Sequence, residues 1–231
     1  MNAVEVKKLV LESGADLCGI APISRFDQAP DGFNPVDIYP EVKSVVVFAK
    51  KIPESVLYAK SVIPYTFADD MALAEVLRIS LDVSVKLEKN NIRAVPVPSE
   101  PYEYWDKETM TGKGIISLKH AAYYAGLGVM GRNTLLCNPD LGNMLKLGAV
   151  LANVELEPDP VIDDDFCSDS CNLCVKSCPS GALTMGNRNV IQKNCRLNSE
   201  GKTLKGSPIT VCYNCRKVCP NRGGWKKSRK N

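Results

Sequence analysis

Eight of the ten cysteines crowd between Cys167 and Cys219, at spacings that let thiolates share metal centres. They stand as Cys167, Cys171, Cys174 and Cys178-Pro179, a lone Cys195, then Cys212, Cys215 and Cys219-Pro220. Two sets therefore close as C-x2-C-x3-C-P. Thiolates two residues apart on a tight loop can grip one centre, while a thiolate three residues further on, followed by proline, turns away toward a second. Structural zinc also uses C-x2-C pairs, but in closed fours that rarely end in Cys-Pro, and here the eight interleave. Disulfide frameworks suit small secreted chains with little core. This chain has 231 residues and opens with MNAVEVKKLVLESGAD, amphipathic and charged throughout, unlike a secretory leader. Two iron–sulfur clusters are the reading that the spacing favours.

In two-cluster ferredoxins the Cys-Pro of each motif serves the other cluster. That wiring assigns Cys167, Cys171, Cys174 and Cys219 to one 4Fe–4S cluster and Cys178, Cys195, Cys212 and Cys215 to the other. The Cys167-to-Cys171 step is C-x3-C where C-x2-C is usual, so Cys167 is the ligand that the spacing leaves most open. Charge supports the scheme. From Val161 onward there are 13 Lys and Arg against 5 Asp and Glu, whereas the rest of the chain has 16 against 21. Two oxidised clusters with eight thiolates would bring about −4 to the basic part, so much of its excess reads as counter-charge. Thiolate clusters imply a reducing compartment, hence the cytoplasm and an anaerobic setting. No run approaches the ~18 apolar residues of a membrane span.

The elements that must carry these residues read as α+β. Ala3 to Ser13 is a helix ended by Gly14, and Asp16 to Ala21 a strand stopped by Pro22. Cys18 within it reads as a small buried hydrophobe. Pro30 to Pro40 is a loop; SVVVFA (Ser44 to Ala49) is a central strand. A helix capped by Asp69 and Asp70 runs to Asn90, with Leu73, Val76, Leu77, Ser80, Leu81, Ser84 and Leu87 at helical spacing. Ile92 to Val97 is another strand, and Pro101 to Gly114 an aromatic, charged loop of the kind that borders ligand sites. Ser117 caps a short helix over Leu118 to Ala125; strands follow at Thr134 to Cys137 and Leu145 to Leu156. Glu157 to Pro160 is the natural linker, dividing the chain into 1–158 and 159–231.

Gly126 to Gly131 spells GLGVMG, a literal G-x-G-x-x-G. A dinucleotide site needs that string after a strand and opening a helix, so that a pyrophosphate meets the helix N-terminus. Here helix precedes and strand follows. The glycines serve instead to end a helix and admit close backbone approach.

AAYYAGLGVMGRNTLLCNPDLGNMLKLGAVL (Ala121 to Leu151), followed by the double Cys-Pro arrangement, resembles the epoxyqueuosine reductases and is similar to the cofactor half of the reductive dehalogenases. The resemblance implies a nitroreductase-like α+β domain of the corrinoid-binding type, followed by a two-cluster ferredoxin-like domain that feeds electrons to cobalamin. It implies that Gly126, Gly128, Gly131, Arg132 and Asn133 line the corrinoid or stand directly behind it. Those reductases carry a proton-donating acid in a D-x-x-P-x-x-E-like segment before the glycines. This chain has Gly112, Ile115 and Leu118 in those places, which moves the expected donor to Tyr102, Tyr104 or Asp106. The transfer-RNA reductases also continue into helical repeats, whereas twelve residues follow Cys219 here, so a different substrate is expected.

The expectation is an iron–sulfur oxidoreductase that takes electrons from a ferredoxin- or flavodoxin-type donor and acts on an unidentified substrate or a corrinoid protein. The rivals are a flavin in the first domain, or an electron carrier without a cofactor of its own there. His120, the only histidine, reads as an exposed or packed side chain, and Cys137 as core. The basic tail (Arg222, Lys226, Lys227, Arg229, Lys230) reads as a solvated run or cluster counter-charge, with RNA contact as the rival.

Overall fold

The computed structural model describes residues 1–99 and 101–228. Helix α1 (Ala3–Glu12) opens with a reciprocal cap between Asn2 and Glu5, and ends at Gly14, whose φ of +108° only glycine adopts freely. Strand β1 (Leu17–Pro22) pairs antiparallel with β2 (Ser44–Lys51). Between them Pro35–Ile38 forms one helical turn where a loop is expected, because Asn34 and Asp37 cap it and Pro35 starts it. Helix α2 (Ile63–Glu88) leads to β3 (Ala94–Val97), helix α3 (Leu118–Tyr124) and β4 (Leu145–Ala152). The four strands form one antiparallel sheet in the order β1-β2-β4-β3. Pro96 sits in β3 at the sheet edge, where its missing N–H costs no ladder bond.

Alternation along β2 divides the core. Val46 and Phe48 face α1 and α2 with Val6, Val10, Val76, Ile79, Val83 and Leu87. Val45 and Val47 face α3 with Ala121, Ala122, Leu127 and Leu136. Each fully buried side chain of this size contributes about 1.5–3 kcal/mol, so the sheet is held from both sides. Among the described residues, no helix is long and apolar enough to cross a membrane.

Two expectations are corrected. Helix α2 starts at Ile63, six residues before the Asp69 expected to cap it; Pro64 in the first turn begins it, and Asp69 lies inside, paired with Lys146 at 2.8 Å. The aromatic stretch is no plain loop but contains a hairpin, Tyr104–Asp106 against Thr111–Lys113. Asp106 Oδ1 accepts from the backbone N–H of Glu108 and Thr109 and so closes the turn. The glycine segment follows α3 and leads into a two-residue strand, Val129–Met130, paired with Leu136–Cys137. Helix before and strand after is the order expected.

Between Ala152 and Leu173 the chain has no regular secondary structure, yet it is fastened. Asp159 Oδ1 meets Lys7 Nζ at 2.8 Å, its Oδ2 accepts from Ile20 N, and its N–H donates to Ile20 O. Beyond it the cysteine-bearing part is built from short helices and two-stranded ribbons (Leu183–Thr184 with Asn187–Val190, Glu200–Lys202 with Pro208–Thr210).

Candidate functional site: a thiol cavity beside an apolar cleft

The two cysteine motifs adopt the same local structure. Leu173–Lys176 and Asn214–Lys217 are single helical turns. In the first, Lys176, Ser177 and Cys178 donate to the carbonyls of Asn172, Leu173 and Val175. In the second, Lys217, Val218 and Cys219 donate to Tyr213, Asn214 and Arg216, the equivalent positions. Each turn carries the second cysteine of its C-x2-C pair (Cys174, Cys215), with the first just ahead of it (Cys171, Cys212) and the Cys-Pro cysteine two residues past its end.

Cys167, Cys171 and Cys174 of the first motif and Cys219 of the second line one cavity, closed by Cys137, Phe166, Asn143, Gly131, Arg132 and Asn133. Burial pushes the Cys219 thiol up to about 11, with the charges of Cys167, Cys174 and Cys171 adding to it and the Asn221 N–H opposing. Burial likewise raises Cys174, and Cys167 and Cys171 raise it further. These thiols therefore sense one another across a shared space.

The other four gather as a second neighbourhood. Burial raises Cys195, with Cys178 and Cys212 adding to it and Ser199 opposing. Cys215 is pushed to about 11 by burial, relieved by Arg216 and reinforced by Cys195 and Cys212. Cys178 goes the other way. Burial opposes its ionisation, but hydrogen bonds from the Ser180 hydroxyl and from the N–H groups of Leu183, Ser180 and Ala182 outweigh that and hold it below the usual thiol range. Among the described residues no three His, Cys, Asp or Glu side chains come close enough to hold a single metal ion. The thiols ring wider spaces instead.

A second cavity, a cleft of about 250 Å³, adjoins the first. Leu73 from α2, Leu145 and Leu147 from β4, Leu118 from α3, and Leu135 and Leu136 make its walls. Ser99, Tyr102, Lys119, Lys146, Arg216 and Asn143 supply its polar groups. Five of these are already engaged. Ser99 Oγ donates to Leu147 O at 3.3 Å, and Tyr102 Oη accepts from Arg196 Nη2 at 3.0 Å. Lys119 Nζ donates to Thr134 O at 2.9 Å, Lys146 pairs with Asp69, and Arg216 Nη1 donates to Asn143 O. Burial, then Arg216, holds Lys119 below the usual lysine range. Asn143 is the exception. It is 2% exposed, lines both cavities, and neither its Oδ1 nor its Nδ2 has a partner among the described residues. An unmet buried amide is expensive, and one placed between two cavities marks where a ligand would satisfy it.

The first two glycines of the glycine segment pack against backbone. A Cβ on Gly126 (φ +70°) or Gly128 would overlap backbone carbonyls of Pro160 and Cys137 respectively, so these two glycines admit protein, not ligand. Gly131, Arg132 and Asn133 line the thiol cavity, and Asn133 Nδ2 donates to Cys215 O at 3.2 Å. Of the expected proton donors, Tyr102 alone lines the cleft, its hydroxyl accepting from Arg196 Nη2 at 3.0 Å. The Arg196 guanidinium lies 5.1 Å from the Tyr102 ring and 5.0 Å from Trp105. Asp106 is committed to its turn, which holds its carboxyl below the usual range through Thr109 and Glu108 N–H. Tyr104 is exposed under Lys113. His120 is exposed, its Nδ1 2.7 Å from Ser117 Oγ. Cys137 is buried and near-inert, its thiol raised by burial and by Cys219 and Cys167. Arg222 binds Glu54 at 2.7 Å and Tyr58, Lys226 meets Asp140, and Arg229 and Lys230 lie outside the described residues.

No family model matches the chain. It is 35% identical to the epoxyqueuosine reductase of Staphylococcus aureus over 127 residues, half of this chain and 32% of that protein. The Bacillus subtilis epoxyqueuosine reductase is 26% identical over 96% of this chain and 65% of its own length. The chain thus spans less than two thirds of these relatives. Its fold is that of the Streptococcus thermophilus epoxyqueuosine reductase (TM-score 0.65, 18% identity, 96% of this chain and 66% of that one). It is also that of a reductive dehalogenase described with a mechanism for B12-dependent dehalogenation (TM-score 0.71, 20% identity, 94% of this chain and 31% of that one). The resemblance read from Ala121 onward is borne out, and with it the mixed α/β architecture.

Proposed function

We propose that the chain is an iron–sulfur oxidoreductase of the epoxyqueuosine reductase type, with a nitroreductase-like domain (1–158) that takes a corrinoid and a ferredoxin-like domain (159–231) that takes two 4Fe–4S clusters. The observation that carries this is the adjacency of the two cavities, one ringed by thiols, the other apolar, with the unmet amide of Asn143 between them. Cys167, Cys171, Cys174 and Cys219 would hold the cluster nearer the cleft; Cys178, Cys195, Cys212 and Cys215 would hold the other. The donor set fits. It is all thiolate, each Cys-Pro serves the opposite group, and the N–H groups around Cys178 favour its ionised form. The cleft fits a corrinoid in part: its leucine walls suit an apolar ring face, while Ser99 and Asn143 offer amide partners. A macrocycle is larger than about 250 Å³ and would extend through the mouth.

Bound together, these groups would supply stepwise electron delivery and a strongly reducing cobalt centre. The chain's own part is positioning. Asn143 would orient the ring by hydrogen bonds through Nδ2 and Oδ1, and the leucines would exclude water. Tyr102 Oη would present a proton to the cleft, its side chain positioned by the hydrogen bond from Arg196. Gly131, Arg132 and Asn133 would stand between the nearer cluster and the ring, while Gly126 and Gly128 let the supporting backbone pack. Electrons would come from a ferredoxin- or flavodoxin-type donor. One related reductase has been solved with an epoxyqueuosine-modified tRNA-Tyr stem loop, which supports RNA as a candidate substrate class here.

The test is anaerobic purification, metal analysis, and gel filtration after adding cobalamin. About eight irons per chain with retained cobalt is the expected result. The same iron without cobalt removes the corrinoid and leaves a flavin enzyme or carrier. Zinc in place of iron, in material never exposed to air, overturns the reading.

A further inference from the structure

Arg132 is a cation buried in the wall of the thiol cavity. Its side chain is 8% exposed, and it is the one Lys or Arg among the described residues that line this space. Its outer edge is loosely held. Nη2 donates to Asp169 O at 3.2 Å and lies 3.6 Å from Asp169 Oδ1, on a side chain that is 98% exposed. Its Nε is buried with no partner among the described residues. A guanidinium is costly to bury unless an opposite charge stands beside it, and an N–H left unmet adds to that cost. Asp169, almost wholly in solvent, is too screened to compensate. The other lining groups are apolar, amide or thiol.

We infer that Arg132 is the counter-ion of the cluster held by Cys167, Cys171, Cys174 and Cys219, its Nε–H donating to a sulfur of that cluster and raising its reduction potential; this rests on the two-cluster reading above. One-electron reduction takes such a cluster with its four thiolates from about −2 to about −3, with no proton taken up and the electron supplied by the external donor. A fixed positive charge and a hydrogen bond to sulfur both favour the more negative state, so they pull the equilibrium toward reduction. Arg132 thereby acts through the cluster as a positioning and tuning residue. The neighbouring Asn133 carries no charge, and one N–H of its amide is already given to Cys215 O.

The experiment is a dithionite redox titration of the anaerobically purified full chain, followed by electron paramagnetic resonance and accompanied by iron analysis, on wild type, Arg132→Gln and Arg132→Lys. Wild type without 4Fe–4S signals overturns the underlying reading and this inference with it. With both clusters present, Arg132→Gln is expected to lower one midpoint by at least a tenfold change in the reduction equilibrium, 59 mV for one electron, and to leave the other in place. Arg132→Lys, which keeps the charge but not the Nε–H, should recover part of that shift. Unchanged midpoints, or equal shifts in both clusters, overturn the assignment. If Arg132→Gln loses half its iron, the lysine variant decides: retained iron with one intermediate midpoint supports the counter-ion, and iron lost from both variants makes Arg132 structural only.

Discussion

Gly142 offers the sharpest test of how the cysteine-bearing part is seated. Its φ is +69°, and a Cβ built on it would overlap the Arg222 carbonyl and come within 2.6 Å of Asn221 O. Gly142→Ala therefore combines two costs: a left-handed conformation, about 1–2 kcal/mol, and forced displacement of packed backbone, about 1–3 kcal/mol. Reduced freedom of the unfolded chain returns about 0.4–1 kcal/mol, so the net loss is about 2–4 kcal/mol. At about 2–4 °C per kcal/mol for a chain this size, Tm should fall by roughly 5–15 °C. The control is Gly32→Ala, with φ +78° and nothing within 4 Å of its Cβ, which carries the conformational cost alone. The displaced backbone includes Arg222 O, which accepts from Asn143 N at 3.1 Å, and Arg222 N, which donates to Cys219 O at 3.2 Å. Iron should accordingly fall selectively, toward one cluster per chain. The measurements are anaerobic thermal unfolding by circular dichroism at a fixed scan rate, and iron analysis. Equal effects of the two alanines, within about 0.5 kcal/mol, would refute the contact between this turn and the tail.

Other outcomes follow from the same contacts. Cys219→Ser should halve the iron, whereas Cys137→Ala should leave iron unchanged, because Cys137 Sγ is turned to Asn221 O at 3.3 Å; iron analysis of both variants checks this. Tyr102→Phe should retain cofactor and lose about 10²–10⁴-fold in turnover, the usual yield of a positioned proton donor, while His120→Ala should stay within about twofold in the same steady-state assay. The Cys18 thiol is pushed up to about 12 by burial, then by Asp159, with Lys7 opposing. A raised folded-state value stabilises fully below the unfolded thiol range, and that stability is lost as pH rises from about 9 toward 12. Relative to Cys18→Ala, the wild type should therefore lose stability across that window; parallel urea-denaturation curves for the two proteins would contradict it.

Much of this arrangement is legible in the residues. SVVVFA is apolar and β-branched on both faces because both faces of β2 are covered, and that double burial is why it reads as a central strand. The helix and glycine boundaries at Gly14 and Gly126 follow from backbone chemistry that only glycine meets. The gathering of Cys219 with Cys167, Cys171 and Cys174 follows from the Cys-Pro that ends each motif. The cleft was not legible. Asn143 and Arg216 meet across 73 positions, and Ser99, Lys119 and Lys146 come from a loop, a helix and a strand, so no local pattern announces them. The start of α2 was missed because Pro64 replaces the side-chain cap that a sequence reading looks for. The hairpin in 104–113 was missed because Asp106 makes its turn with one carboxylate, without an Asn-Gly or Asp-Gly signal.

On the proposed function, the clasp at Asp159 bears on electron delivery. With Lys7, Ile20 and Arg25 all bonded to this one residue, the connection between sheet and cysteines is a strap lashed to the sheet edge, not a tether. Tunnelling rates fall steeply with separation, and a strap of this kind fixes the separation that a swinging carrier would have to search for. A protease cut beyond the strap, in the 160–165 stretch, should then leave two fragments that still co-migrate and still pass electrons, held by the stacked Tyr65 and Tyr213 rings and the Arg222–Glu54 pair.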